Sequence, residues 1–286
     1  MVFASLLMNR NRVALVKQME GESIQLVVWR ALDLIEASSY LSQFSTFLLK
    51  PNYIVDKDPR GGLTTHPESL DGVISYLFEK VGKSPNQVII GEGGYASTTD
   101  SAFEICGARN LARKHGVKLV NLNEDEKDRI TLRESLALKE VNIAHTARMV
   151  DCVISVPSLK THSMAVTTLA MKNCMGCILP KGIMHGSLHQ KIADLAALIN
   201  PKLSVIDGII GGEGSEEYGD PVPMGIIIAG IDYVAVDTVG SAVMGYNPTE
   251  CKYLQYGAKK GLGICDLKDI DVVGVSIDSV RRKFHR

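Results

Sequence analysis

A chain of 286 residues, 45% hydrophobic and 22% charged, has the apolar content for a sizeable core and is not the composition of a disordered segment. Thirty-one Lys and Arg against 32 Asp and Glu leave a formal charge of −1, which argues against electrostatic capture of nucleic acid or an anionic membrane. No apolar run reaches the ~20 residues of a membrane span. The opening "MVFASLLMNRNR" lacks a signal-peptide pattern. Six scattered cysteines read as reduced thiols of a cytoplasmic protein rather than a disulfide frame.

Apolar bursts alternate with helically spaced segments, the rhythm of an α/β fold with a mainly parallel or mixed sheet flanked by helices. "RVALVKQ" (12–18) predicts a first strand, and "SIQLVVWRALDLI" (23–35) a helix with Trp29 in the core. "TFLLKPNYI" (46–54) is a strand that stops at Pro51, since proline donates nothing to a ladder, and so presents Lys50 and Asn52 at its end. The next helix, over 65–82, has Thr65 as cap and Glu68 at capping-box spacing; His66 decorates its first turn or faces the same cleft as Lys50.

Residues 86–116 read as strand, glycine-rich turn and helix, and 117–125 as another strand followed by a solvated charged loop. "DCVISVP" is a strand, and a polar stretch leads from it to a helix over 188–200. Strands over 202–214 and 223–232, a helix over 233–245 and a late strand over 269–277 complete the pattern. Residues 11–280 form a single α/β domain on this reading, with a lobe boundary near 155–180 and a cleft between two lobes left open.

The polar stretch is "VPSLKTHSMAVTTLAMKNCMGCILPKGIMHGSLHQ" (156–190), which crowds Lys160, His162, Lys172, Asn173, Cys174, Cys177, His185 and His189 into little chain. Cys174-x-x-Cys177 with His185 and His189 makes up a four-ligand set for zinc or an iron–sulfur cluster, although Pro180, Gly182 and Gly186 favour a loop around His185. Buried thiols are the bland alternative. Gly91, Gly93 and Ala96 have G-x-G-x-x-A spacing after a strand, which the dinucleotide fingerprint permits, but Glu92 puts a negative charge in that turn. Glu92 also stands at a strand's carboxyl end, where α/β ligands gather. In "DGIIGGEGSEEYGDP" (207–221), Asp207 ends an apolar strand and Glu213 lies between glycines, positions suited to acid–base work; Glu216 and Glu217 are assigned to solvent.

"NYIVDKDPRGGLTTHPE", "VPSLKTH…TTLAMKNCMG", "LHQKIADL", "SVIDGIIGGEG…GDPVPMGIIIAG" and "AVDTVGSAVMG" together resemble the prokaryotic family catalogued as domain of unknown function 362, over roughly residues 45 to 265. The resemblance implies a fold without an established reaction. Members often add a [4Fe-4S] ferredoxin-like module; no run of closely spaced cysteines suggests one here. Cys174 stands where the family pattern has an apolar residue, which weakens any family-wide role for the C-x-x-C. A fainter likeness is to lactate racemase-type enzymes, which hold a nickel-pincer cofactor, with too few matching positions to carry any residue over.

Lys50, Asn52, Lys160, His162, Lys172 and Asn173 each fall where a strand ends or a polar turn begins. Lysines gathered with amide and imidazole donors suit a small anionic ligand, carboxylate or phosphate, and like-charge repulsion would penalise that gathering without one. The first expectation is therefore an enzyme acting on a small acidic metabolite by proton transfer. His162 and Lys160 are the catalytic candidates, with Asp207 or Glu213 opposing; Lys50, Asn52, Lys172, Asn173, Glu92 and His66 bind substrate. A metal- or cluster-binding redox protein centred on Cys174 and Cys177 is the second reading, and a dinucleotide-dependent oxidoreductase the third. A homo-oligomer is left open.

Overall fold

Strands form where the chain is continuously apolar or alternates, and thirteen are described in chain order: β1 (Arg12–Lys17), β2 (Phe47–Pro51), β3 (Val88–Glu92), β4 (Lys118–Asn121), β5 (Lys127–Thr131), β6 (Glu140–Ala144), β7 (Cys152–Val156), β8 (Ser158–His162), β9 (Val166–Thr168), β10 (Ile178–Leu179), β11 (Leu203–Glu213), β12 (Asp220–Gly230) and β13 (Asp271–Gly274). They belong to a computed structural model that describes residues 10–286. The start of the segment read for a signal peptide, residues 1–9, lies outside the described residues.

Ten strands make one sheet in the order β13-β1-β12-β11-β7-β2-β3-β4, with β8 added beside β11 and β9 beside β8. β11, β7, β2, β3 and β4 run parallel, whereas β12 is antiparallel to both its neighbours, so the sheet is mixed and mostly parallel as expected. All five residues of β2 and of β7 are buried, as a strand covered on both faces requires. Side-chain alternation separates two cores. Val13 and Leu15 point into one layer and Ala14 and Val16 into the other, as do Leu48 against Phe47 and Leu49. Helices Ile24–Leu34 and Pro67–Glu79 cover the second layer, and helices Leu188–Ile199, Tyr233–Val243 and Lys252–Lys259 the first.

The structure departs from the sequence reading where elements are short. The charged loop at 125–128 runs into β5, which pairs with β6 and through it with β10 in a separate three-stranded sheet. The helix expected within 98–116 breaks at Gly107, whose φ of 77° is left-handed, into Thr99–Ile105 and Ala108–His115. Across the region of the anticipated lobe boundary, β7 pairs with β11. β11 then exchanges β7 for β8 as its parallel neighbour, from Asp207 onward. That exchange leaves the carboxyl ends of β2 and β3 open beside β8, the position where open α/β sheets take ligands. Among the described residues no helix is long and apolar enough to cross a membrane.

Helix Leu188–Ile199 is fixed by a fully buried carboxylate. Asp194 accepts backbone N–H bonds from Leu136, Ala137 and Leu138 at 2.8–2.9 Å and an ion pair from Lys260 at 3.0 Å. Asp194→Ala strands three backbone donors, that of Leu138 buried, and a cation, so we expect it to cost about 3 kcal/mol in urea unfolding. A loss below about 1 kcal/mol would show that water replaces the carboxylate freely.

Candidate functional site

At those strand ends lies a cavity of about 280 Å³, the size of a small metabolite, lined among others by Lys50, Asn52, Glu92, Lys160, His162 and Lys172. Asn173 and His185 also line it. The side chains expected to converge from distant segments therefore share one hollow. Their hydrogen bonding divides them into framework and free groups.

Lys50 and Glu92 are framework. Lys50 Nζ is 2.7 Å from Glu92 Oε1, 2.8 Å from the Pro51 carbonyl and 3.1 Å from Asn173 Oδ1, which uses all three ammonium donors. Glu92 also accepts the backbone N–H groups of Tyr53 and Gly93. Asn173 is saturated: Oδ1 accepts from Lys50 and from Asn52 Nδ2, and Nδ2 donates to the Lys50 carbonyl and to Ser155 Oγ. Neither Lys50 nor Asn173 retains capacity for direct ligand contact in this arrangement, and Glu92 keeps one acceptor position on Oε2. They hold Asn52 in place, whose Oδ1 is buried without a hydrogen-bond partner. The backbone of Gly176 lies on the pair: a Cβ there would stand 2.3 Å from Glu92 Oε1 and 2.6 Å from Lys50 Nζ, so only glycine fits.

Three other lysines carry the electrostatics. Burial, reinforced by the Lys172 ammonium, pushes the pKa of Lys160 down to about 7. Burial pushes Lys172 down to about 8, with Glu216 pulling the other way. Lys181, half-buried, is lowered to about 8, again first by burial. Lys160 Nζ donates to the carbonyls of Leu63 at 2.7 Å and Glu216 at 3.2 Å, leaving one valence. Lys181 was not singled out from sequence, because a lysine after Pro180 in a glycine-flanked loop carries no pattern of its own.

His162 is a donor. Its Nδ1 accepts the backbone N–H groups of Met164 at 3.0 Å and Ala165 at 3.2 Å, so the ring proton sits on Nε2, 3.2 Å from Glu216 Oε1. Burial first, and then the Lys172 charge, lower its pKa. Expected to shuttle a proton at neutral pH, the ring instead has no free lone pair. Glu216, read from sequence as solvated, has a side chain only 15% exposed. Burial acts to raise its pKa, but hydrogen bonds from backbone and from Ser163 outweigh it and keep the carboxylate ionised.

Other expectations need correction. Asp207 lies under the helix Pro67–Glu79, accepting from His66 N at 2.6 Å, Ser69 Oγ at 3.0 Å and Ile209 N at 3.2 Å; it fixes a helix start and does not line the cavity. His66 is that helix's N-cap, its Nδ1 accepting from Glu68 N, and Thr65 instead bridges Asn52 N and the Val156 carbonyl. Glu213 binds His285 N in the C-terminal tail.

The proposed Cys₂His₂ set is not assembled. Cys174 and Cys177 are buried thiols with pKa raised by burial, to about 11 for Cys177, whereas His185 lines the cavity and His189 does not. Among the described residues no three His, Cys, Asp or Glu side chains are placed to hold a metal ion. A metal centre built from these side chains does not fit. The G-x-G-x-x-A turn does not open a helix, which begins at Thr99; a Cβ on Gly93 would strike the Gly176 carbonyl at 2.5 Å, so that glycine serves packing.

An α/β sheet with ligand-type residues at its parallel strand ends defines the class. The chain belongs to the family described as domain of unknown function (DUF362), whose model matches residues 47–242. It is 25% identical over 227 residues to a thylakoid-associated protein of Synechocystis sp., covering 75% of this chain and 68% of that one. Its fold is that of the lactate racemase apoprotein from Thermoanaerobacterium thermosaccharolyticum, with a TM-score of 0.50 and 13% identity over 79% of this chain. This chain spans 56% of that solved chain, and the likeness is one of fold.

Proposed function

We propose that the protein is an enzyme that binds a small anionic metabolite in this cavity and moves a proton on it. The supporting observation is Lys172: 7% exposed, lining the cavity, its ammonium with no hydrogen-bond or ion-pair partner among the described residues, beside a second buried lysine. Two buried ammonium groups are costly unless an acidic group joins them. Lys172 holds the anion, and Lys181 and the Nε2–H of His162 add positive potential. Lys160 is the acid–base group. With a pKa near 7 it exists in both forms at neutral pH, and as a free amine its two N–H bonds to carbonyls leave the lone pair for a substrate proton.

The structural neighbour's name specifies lactate, a carboxylate, which is consistent with an acidic ligand. Six unpaired cysteines agree with a reducing, cytoplasmic setting. Native mass spectrometry of gently purified protein tests the reading: we expect a co-purifying acidic metabolite that Lys172→Met loses. A bound neutral molecule retained by the variant would refute it.

A further inference from the structure

The tip of the β11–β12 hairpin, residues 214–219, reaches over the cavity and inserts one side chain. Glu216 Oε2 accepts the backbone N–H of Ser163 at 3.2 Å, while Oε1 faces Ser163 Oγ at 3.1 Å and His162 Nε2 at 3.2 Å. Each carboxylate oxygen thus meets a donor from the turn between β8 and β9, and the Glu216 carbonyl covers Lys160. Four more contacts moor the tip: Tyr95 OH to Glu217, Lys57 Nζ to the Glu217 carbonyl and over the Tyr218 ring, and Gly214 N–H to the His285 carbonyl. Beyond the Gly214 bond at its base, the tip is held among the described residues only by links that involve a side chain. The ladder itself ends at the Glu213–Asp220 pair, and Gly214, with φ of 92°, turns the chain immediately beyond it. In the same cavity Lys160 is fully buried, and Asn52 Oδ1 and Thr168 Oγ1 have neither solvent nor partner.

A cavity whose hydrogen-bond donors at the β8–β9 turn are already served by a glutamate from a glycine-hinged loop holds its own surrogate ligand. We propose that the cradle of Ser163 N–H, Ser163 Oγ and His162 Nε2–H is the subsite for a carboxylate of the metabolite, and that the ligand displaces Glu216 so that the hairpin tip lifts. The inference rests on the anion-binding reading of the same cavity and narrows it from acids in general to carboxylic acids. A flat, two-oxygen acceptor is what the cradle presents its donors to; a tetrahedral phosphate matches fewer of them. Lifting the tip also releases the Lys160 donor now held by the Glu216 carbonyl, so ligand entry and exposure of the acid–base group are one event.

The test uses the full chain with acetate, succinate and inorganic phosphate as probes. A tethered carboxylate competes at an effective concentration in the millimolar range, so Glu216→Ala should bind succinate about tenfold more tightly than the wild type, with a smaller gain for phosphate. Saturating succinate should speed amide exchange at residues 214–219 of the wild type. Carboxylate affinity in Glu216→Ala equal to or below that of the wild type, or slower exchange at the tip, overturns the displacement while leaving the anion site standing. If all three probes fail to bind both proteins, the anion reading itself falls and the subsite with it. Glu216→Gln repeats the measurement with side-chain volume conserved.

Discussion

Replacing Lys50 by Met should destabilise the protein by about 3–5 kcal/mol, because it leaves the Glu92 carboxylate buried without its counter-charge. Both side chains are 2% exposed and 2.7 Å apart. Two backbone N–H bonds to Glu92 survive the substitution, but they do not neutralise it. A second change separates charge from packing. Lys50→Met with Glu92→Gln removes both charges at nearly constant volume, and we expect the double variant to recover at least half of the loss in urea unfolding, since paired burial is expensive chiefly when one partner is missing. Asn173 would lose one of its four hydrogen bonds in both variants, so that cost cancels in the comparison. A single variant within about 1 kcal/mol of the wild type would mean the pair is dispensable to the fold and would return Lys50 to the list of candidate ligand contacts.

The convergence of Lys50, Lys160, His162 and Lys172 was legible because each falls at the end of an apolar strand or in a polar turn, and parallel strands bring such ends to one side of a sheet. Their roles were not legible. Spacing shows that Lys50 is at a strand end but cannot show that its three donors are consumed by Glu92, Pro51 and Asn173. Nor can it show that two backbone amides take the lone pair of His162.

Asp207 and His66 misled for a related reason. A polar residue ending an apolar strand serves a ligand or caps a neighbouring helix, and the choice is made by a helix 141 residues away in sequence. Glu216 was hidden in an acidic, glycine-rich run that by composition belongs to solvent. One signal could have exposed it. A hairpin of two eleven-residue strands, each beginning or ending in that run, places the tip well beyond the sheet, where it can fold back over the strand ends. The C-x-x-C pattern pointed to metal because sequence spacing does not report burial; in the fold the two thiols sit in the apolar core.

The pH dependence of anion binding carries the largest functional effect, and its sign follows from the two lysines. Lys160 and Lys172 have folded-state pKa values lowered to about 7 and about 8, and only their ammonium forms attract an anion. Affinity for a carboxylate probe should be full below about pH 6 and fall as pH rises through 7 and 8. Beyond pH 8 the Lys172 contribution alone falls up to tenfold per pH unit. Lys172→Met should weaken binding at pH 6 by roughly a hundredfold, the scale of a charge-assisted contact in a buried site. It should also shift the remaining inflection upward from pH 7, because the Lys172 charge is one of the forces that lower Lys160. Folding provides the control. A lysine whose folded pKa lies below its unfolded value of about 10.4 loses stability as pH falls from that value toward its folded pKa, so at pH 6 Lys172 is a net burden on the fold. Lys172→Met should therefore melt no lower than the wild type at pH 6 in the absence of anion, while losing the anion-induced rise in melting temperature. A variant that keeps that rise, or a binding profile flat from pH 6 to 9, would place the anion elsewhere on the protein.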